Sequence, residues 1–203
     1  MFSTPVAGPT TSSLRRLVLG LGNDILGDDS IGLRVVRQLR DEFHLHPPWE
    51  IRETTEAGLV LLDEFVGFHQ VILVDAIQTG RQSPGSILEL VDDSLPRGSV
   101  RSAHALGVGE TLALGRALGL SMPEEVIVFA IEIEDPFTIT TSLSPALESA
   151  LPDIVDRIAL RIAAASATAG PGVQPLEGLL RGGEEKTSSG LERARATFSM
   201  TSA

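Results

Sequence analysis

Apolar residues recur along this chain in two alternating rhythms. Five segments carry short apolar runs or loose alternation and are predicted as strands: RRLVLGLG (15–22), WEIRETT (49–55), QVILVDAI (70–77), GSILELV (85–91) and EEVIVFAIEI (124–133). In QVILVDAI the residues Val71, Ile72, Leu73 and Val74 are apolar without alternation, the pattern of a strand covered on both faces. The intervening segments repeat at helical spacing. Ile31, Val35, Leu39 and Phe43 recur every four residues in SIGLRVVRQLRDEF, with Ser30 as a candidate N-cap. LVLLDEFVGF (59–68) and AHALGVGETLALGRAL (103–118) are predicted as further helices. The last runs from about Ser144 to Ala165, with Leu147, Leu151, Ile154 and Ile158 as its inner stripe and a kink or restart expected at Pro152.

The order β-α-β-α-β-β-α-β-α predicts one α/β domain with helices on both faces of a mostly parallel, five-stranded twisted sheet. GSILELV follows its predecessor closely enough to be an antiparallel neighbour. The ends differ from this body. Residues 1–13 are rich in Pro, Ser and Thr and are expected to form a flexible extension. The domain is expected over 14–166. Residues 167–203 hold too many Gly, Pro and Ser to pack, so a largely disordered tail is expected there.

Composition narrows the function. The 203 residues include 27 acidic against 16 basic side chains, a formal net charge of −11. A nucleic-acid binder needs a basic face, and an anionic membrane would repel this chain, so neither partner is expected. With no cysteine, there are no disulfides, thiolate metal sites or cysteine nucleophiles. The N-terminus lacks the basic start and apolar stretch of a secretory signal. A cytoplasmic location is the expectation, and nothing demands more than a monomer.

The unusual chemistry lies in GLGNDILGDDSIG, Gly20–Gly32. Its spacing is not the G-x-G-x-x-G of a dinucleotide turn, and Asp24, Asp28 and Asp29 would repel a pyrophosphate there even with Glu53 or Glu56 as a ribose acid. In an open parallel sheet, ligands bind beyond the carboxyl ends of strands where strand order reverses. If the first and third strands are neighbours, Asp28 or Asp29 can face Asp75, which ends the third. One of the two acids is expected to cap the helix that begins at Ser30. His104, near a predicted helix start, is the third element, because a helix N-terminus favours the neutral imidazole that binds metal. His44, His46 and His69 have no such setting and are expected at the surface. Two carboxylates and an imidazole suit a divalent ion such as nickel, zinc, manganese or iron.

LVLGLGNDILGDDSIG resembles the N-terminal signature of the nickel-iron hydrogenase maturation endopeptidases. The likeness continues through AGLVLLDEF, VILVDAI, PGSILEL, AHALGV, IEIE and LSPALESALP, in the family's order over residues 16 to about 162. The resemblance implies removal of a C-terminal extension from the precursor of the hydrogenase large subunit once nickel is installed. It also implies a metal and catalytic site at Asp29, Asp75 and His104, with nickel supplied by the substrate and other divalent metals able to occupy the site. Asn23, Glu56 and Gly58 are the corresponding substrate-binding candidates. TTEAG departs from the Gly-Thr-Ala-Gly of many relatives by placing Thr55 and Glu56 in the second loop. Metal-assisted cleavage is the expected mechanism. The alternative mechanism is a proton shared between Asp29 and Asp75, and the alternative function is a nickel-binding chaperone that docks the precursor without cutting it.

Overall fold

The computed structural model describes residues 14–43, 49–91 and 107–167. The expected terminal extension and most of the expected tail lie outside them. Five strands form one sheet in the order β2-β1-β3-β5-β4. They are β1 (Arg16–Leu21), β2 (Trp49–Thr54), β3 (Gln70–Ile77), β4 (Ile87–Val91) and β5 (Glu125–Glu132). β2, β1, β3 and β5 run parallel, and β4 closes the edge antiparallel to β5. The helices are α1 (Ile31–Glu42), α2 (Leu61–Phe65), α3 (Val108–Ala117) and α4 (Pro145–Ala167). This is the single-domain, mostly parallel α/β architecture expected from the sequence.

Alternate strand positions feed two cores. Val18, Ile72, Val74, Ile127, Phe129 and Ile131 face α1 and α4, against Val35, Leu39, Leu147, Ile154 and Ile158. Leu17, Leu19, Leu73, Val126 and Val128 face α2 and α3, against Leu61, Phe65, Val108 and Leu112. With each central strand covered on both sides, an aliphatic run without alternation is the pattern that folds here.

The glycines of the first turn let a helix lie directly on the sheet. A Cβ at Gly32 would stand 2.2 Å from the Leu21 carbonyl oxygen and 2.4 Å from that of Val74. α1 thus starts against the backbones of both β1 and β3. Gly22 makes a similar approach, its missing Cβ lying 2.2 Å from the carbonyl oxygen of Asp29.

Four local expectations need correction. Ser30 occupies the N-cap position of α1 as expected, but its side chain makes no capping bond: it closes a 3-10 turn, Gly27–Ser30, and its hydroxyl donates to the Gly27 carbonyl at 2.6 Å. The helix expected over 103–118 is broken at Gly107, whose φ of 94° is a left-handed conformation that a helix interior does not accommodate; α3 begins after it at Val108, and residues 103–106 lie outside the described residues. The helix expected over 59–68 is a 3-10 turn, Gly58–Val60, followed by the short α2. Extended backbone at Val66 and a φ of 84° at Gly67 end it. Finally, of the kink or restart expected at Pro152, the restart does not occur: α4 runs through it as one helix. Buried Leu147 on one side and Ile154, Val155 and Ile158 on the other hold it to the core, offsetting the lost backbone bond.

Candidate active site

The polypeptide leaves β1 for β2 on one side, while β3 lies on the other, so strand order reverses between β1 and β3. Their carboxyl ends open the crevice where open α/β sheets place ligands. The first turn spans this point, and its three acids occupy three different environments.

Asp24 faces outward. Its carboxylate receives two bonds from the Arg37 guanidinium at 2.6 and 2.7 Å, and Arg37 also reaches Glu53. The hydrogen bonds from Arg37 hold the Asp24 carboxyl below its ordinary range and raise Arg37. Asp24 and Glu53, one of the two acids weighed for a ribose, are therefore tied together through Arg37. Asp28 is buried, and its Oδ1 accepts the Ser144 backbone N–H at 2.6 Å. It therefore caps the start of α4, not of α1, the helix it was expected to cap. A carboxylate there meets both an unpaired N–H and the positive end of a helix.

Asp29 is the third acid. It is buried in the same 3-10 turn, its carbonyl pressed against Gly22 just beyond β1, and the turn rests on β3. Asp75 lies near the carboxyl end of β3 with no solvent exposure. Its Oδ1 accepts the N–H of Ala76 at 2.9 Å. Leu73 and Ile77, two positions to either side of it, belong to the core under α2 and α3. Strand alternation therefore directs the Asp75 side chain toward α3. His104 precedes α3 and lies outside the described residues, as do His44 and His46. His69 is part-exposed at the opposite end of the sheet, with Nδ1 3.6 Å from Glu124.

Among the described residues, no three His, Cys, Asp or Glu side chains gather where they could hold a metal ion. A third protein ligand beside Asp29 and Asp75 would have to come from outside them. Two carboxylates and an imidazole remain a donor set that fits a borderline divalent ion.

The substrate-binding candidates surround this point. Asn23 accepts the Ile25 N–H through Oδ1 at 3.1 Å, which shapes the turn. Glu56 is exposed in the loop after β2, and its N–H donates to Thr54 Oγ1 at 3.1 Å. The Gly58 carbonyl accepts the Thr111 hydroxyl at 3.1 Å, tying that loop to α3.

One supporting residue escaped sequence reasoning. Glu132, buried at the end of β5, accepts bonds from Thr79 N–H, Thr79 Oγ1 and Gly80 N–H at 2.6–2.8 Å. It thereby fixes the loop that follows Asp75. Its only signal in the sequence was an acid closing the apolar run IEIE.

A family model described as hydrogenase maturation protease matches residues 33–161. That span includes Asp75 and His104 and begins just after the turn that carries Asp29. Hydrogenase 2 maturation protease from Escherichia coli (strain K12) is 31% identical over 147 residues, covering 68% of this chain and 89% of that protein. Hydrogenase expression/formation protein HupM from Azotobacter chroococcum mcd 1 is 29% identical over 159 residues, covering 73% and 75%. Among solved structures, the hydrogenase maturating endopeptidase HybD from E. coli superposes with a TM-score of 0.65 at 28% identity, over 77% of this chain and 94% of that one. The NiFe hydrogenase maturation protease HybD from Thermococcus kodakarensis shares the fold, with a TM-score of 0.58 at 24% identity over 73% and 99%.

Proposed function

The chain belongs to the hydrogenase maturation protease family, and from that premise we propose that it removes the C-terminal extension of a nickel-iron hydrogenase large-subunit precursor after nickel insertion. The observation that supports this reading is a pair of buried carboxylates, Asp29 in the 3-10 turn that packs on β3 and Asp75 on β3 itself. In this reading the two acids share one crevice, and a cation there relieves their mutual repulsion. Nickel seated in the precursor is such a cation, and in this reading it arrives as part of the substrate.

Asp29 and Asp75 then bind and orient the loaded centre through carboxylate oxygens, and His104 adds the one nitrogen donor. A divalent ion so held supplies Lewis acidity toward a peptide carbonyl. The protein's own part is positioning. Glu132 steadies the loop after Asp75, and Asp28 anchors the Asp29 turn to α4. An empty precursor would lack the ion that the carboxylates hold, so cleavage reports that the metal is in place. The proposed setting is the cytoplasm, with the enzyme acting as a monomer. Among the described residues, no helix is long and apolar enough to cross a membrane.

The test is to incubate the purified protein with nickel-loaded and nickel-free precursor and weigh the products by mass spectrometry. Loss of a C-terminal segment from the loaded form alone is the expected result. An unchanged mass with retained binding would establish the chaperone reading instead.

A further inference from the structure

The segment that follows β5 presents its apolar side chains to solvent. Phe137 is 79% exposed and Ile139 is 80% exposed, while Ile25 in the first turn is 58% exposed. Leu118 and Leu160 are also exposed, but on separate helical elements. Ile25 and Ile139 are held side by side. Leu26 and Thr140 form a parallel β-bridge, with Thr140 N–H donating to the Ile25 carbonyl at 3.1 Å and Gly27 N–H to the Thr140 carbonyl at 2.8 Å. Ile25 and Ile139 each stand one position before that bridged pair.

The presentation is ordered. Asp135 Oδ1 accepts the backbone N–H groups of Phe137 and Thr138, at 2.8 and 3.2 Å, and Oδ2 accepts the Thr138 hydroxyl. The Thr138 hydroxyl and the Phe137 N–H hold the Asp135 carboxyl below its ordinary range. A rigid loop that displays large apolar side chains has little conformational freedom left to lose on association. The same bridge joins this loop to the turn that holds Asp29, so a protein docked here is also at the mouth of the crevice.

We propose that Ile25, Phe137 and Ile139 form a docking surface for the folded body of the hydrogenase large-subunit precursor. The proposal rests on the peptidase reading above. It assigns the loop after β5 to recognition of the protein substrate, apart from the acids that act at the scissile bond. A peptidase that cuts one position in a large partner needs contacts beyond that bond, and a few apolar anchors carry most of the affinity of such interfaces.

The experiment uses the full chain with nickel-loaded precursor, comparing Phe137→Ser, Ile139→Ser and the double variant with Leu118→Ser and Leu160→Ser. Cleavage is followed over a range of precursor concentrations, and binding of the precursor is measured separately by calorimetry. The double variant is expected to raise KM and Kd by about tenfold or more with kcat unchanged. The two control variants are expected to match the parent. Phe137→Thr repeats the test with a smaller change, and thermal melting confirms that each variant is folded. Unchanged KM and Kd in the folded double variant would overturn the proposal. So would concentration-dependent self-association of the parent that the double variant abolishes without any change in KM. If the parent binds the precursor without cutting it, the peptidase reading fails, and a weakened Kd in the double variant still upholds the docking surface.

Discussion

The two ends of the sheet differ in what they bury and what they display. Around the amino end, acids and bases pair at the surface: Arg15 with Glu50 at 2.7 Å, Arg52 with Glu50 and Glu64 at 3.0 Å, and Arg161 with Glu89 at 3.2 Å. The guanidinium groups of Arg15 and Arg52 also lie over the Phe68 ring, while Phe68 itself is buried. The carboxyl end keeps one such network, Arg37 with Asp24 and Glu53, but beside it the arrangement is inverted. Asp28, Asp29 and Asp75 are buried, and Ile25, Phe137 and Ile139 stand in solvent. Surface ion pairs of the first kind contribute little to stability and suit an end that only has to stay soluble. Asp28 serves the fold through Ser144, while buried Asp29 and Asp75 and the displayed apolar groups are what the proposed function assigns to the precursor.

The sharpest test of that contrast is Asp29→Asn or Asp75→Asn. Each is expected to lower kcat/KM on nickel-loaded precursor by about 10² to 10⁴-fold, with the melting temperature unchanged or raised as carboxylate repulsion falls. A large loss of stability would make these acids structural and dissolve the contrast. Asp28→Ala is a middle case at the same end. It removes the cap on the Ser144 N–H, so denaturant unfolding is expected to show a loss of about 1 kcal/mol, with part of the cleavage activity retained. Glu50→Gln at the amino end is expected to change stability least, by about 0.3 kcal/mol after allowing for solvent screening. The hydrogen bond from Arg15 holds the Glu50 carboxyl below its ordinary range. Its stabilising contribution is therefore complete above the ordinary carboxylate range and disappears as pH falls through the depressed value. The difference in melting temperature between Glu50→Gln and the parent should close on acidification through that window.

The architecture was legible because burial on two faces leaves an unmistakable mark. Runs such as Val71–Val74 fit no half-exposed element. GSILELV is antiparallel as expected, but its partner is β5 and not QVILVDAI, the strand it closely follows in the chain. The candidate site was read from residue types in and near the turns that follow strands. Long-range partners were not. Nothing in the spacing of Asp24, Asp28 and Asp29 reveals that Arg37 takes the first and Ser144 the second, since each pairing depends on how α1 and α4 pack. The start of α3 was missed because the apolar pattern runs through Gly107, whose positive φ has no signature beyond the residue itself. Glu132 was hidden for a similar reason: its three donors belong to a loop 52 and 53 residues away.

The bond from Ser144 to Asp28 also has a consequence in time. Its partners are 116 positions apart in the chain. On a ribosome, the turn that carries Asp28 and Asp29 emerges long before the helix that fastens it, and closing so long a loop is a late event in folding. Nascent chains therefore hold both acids without the frame that aims them. A peptidase assembled in this order cannot begin to cut until almost all of its described fold has been made.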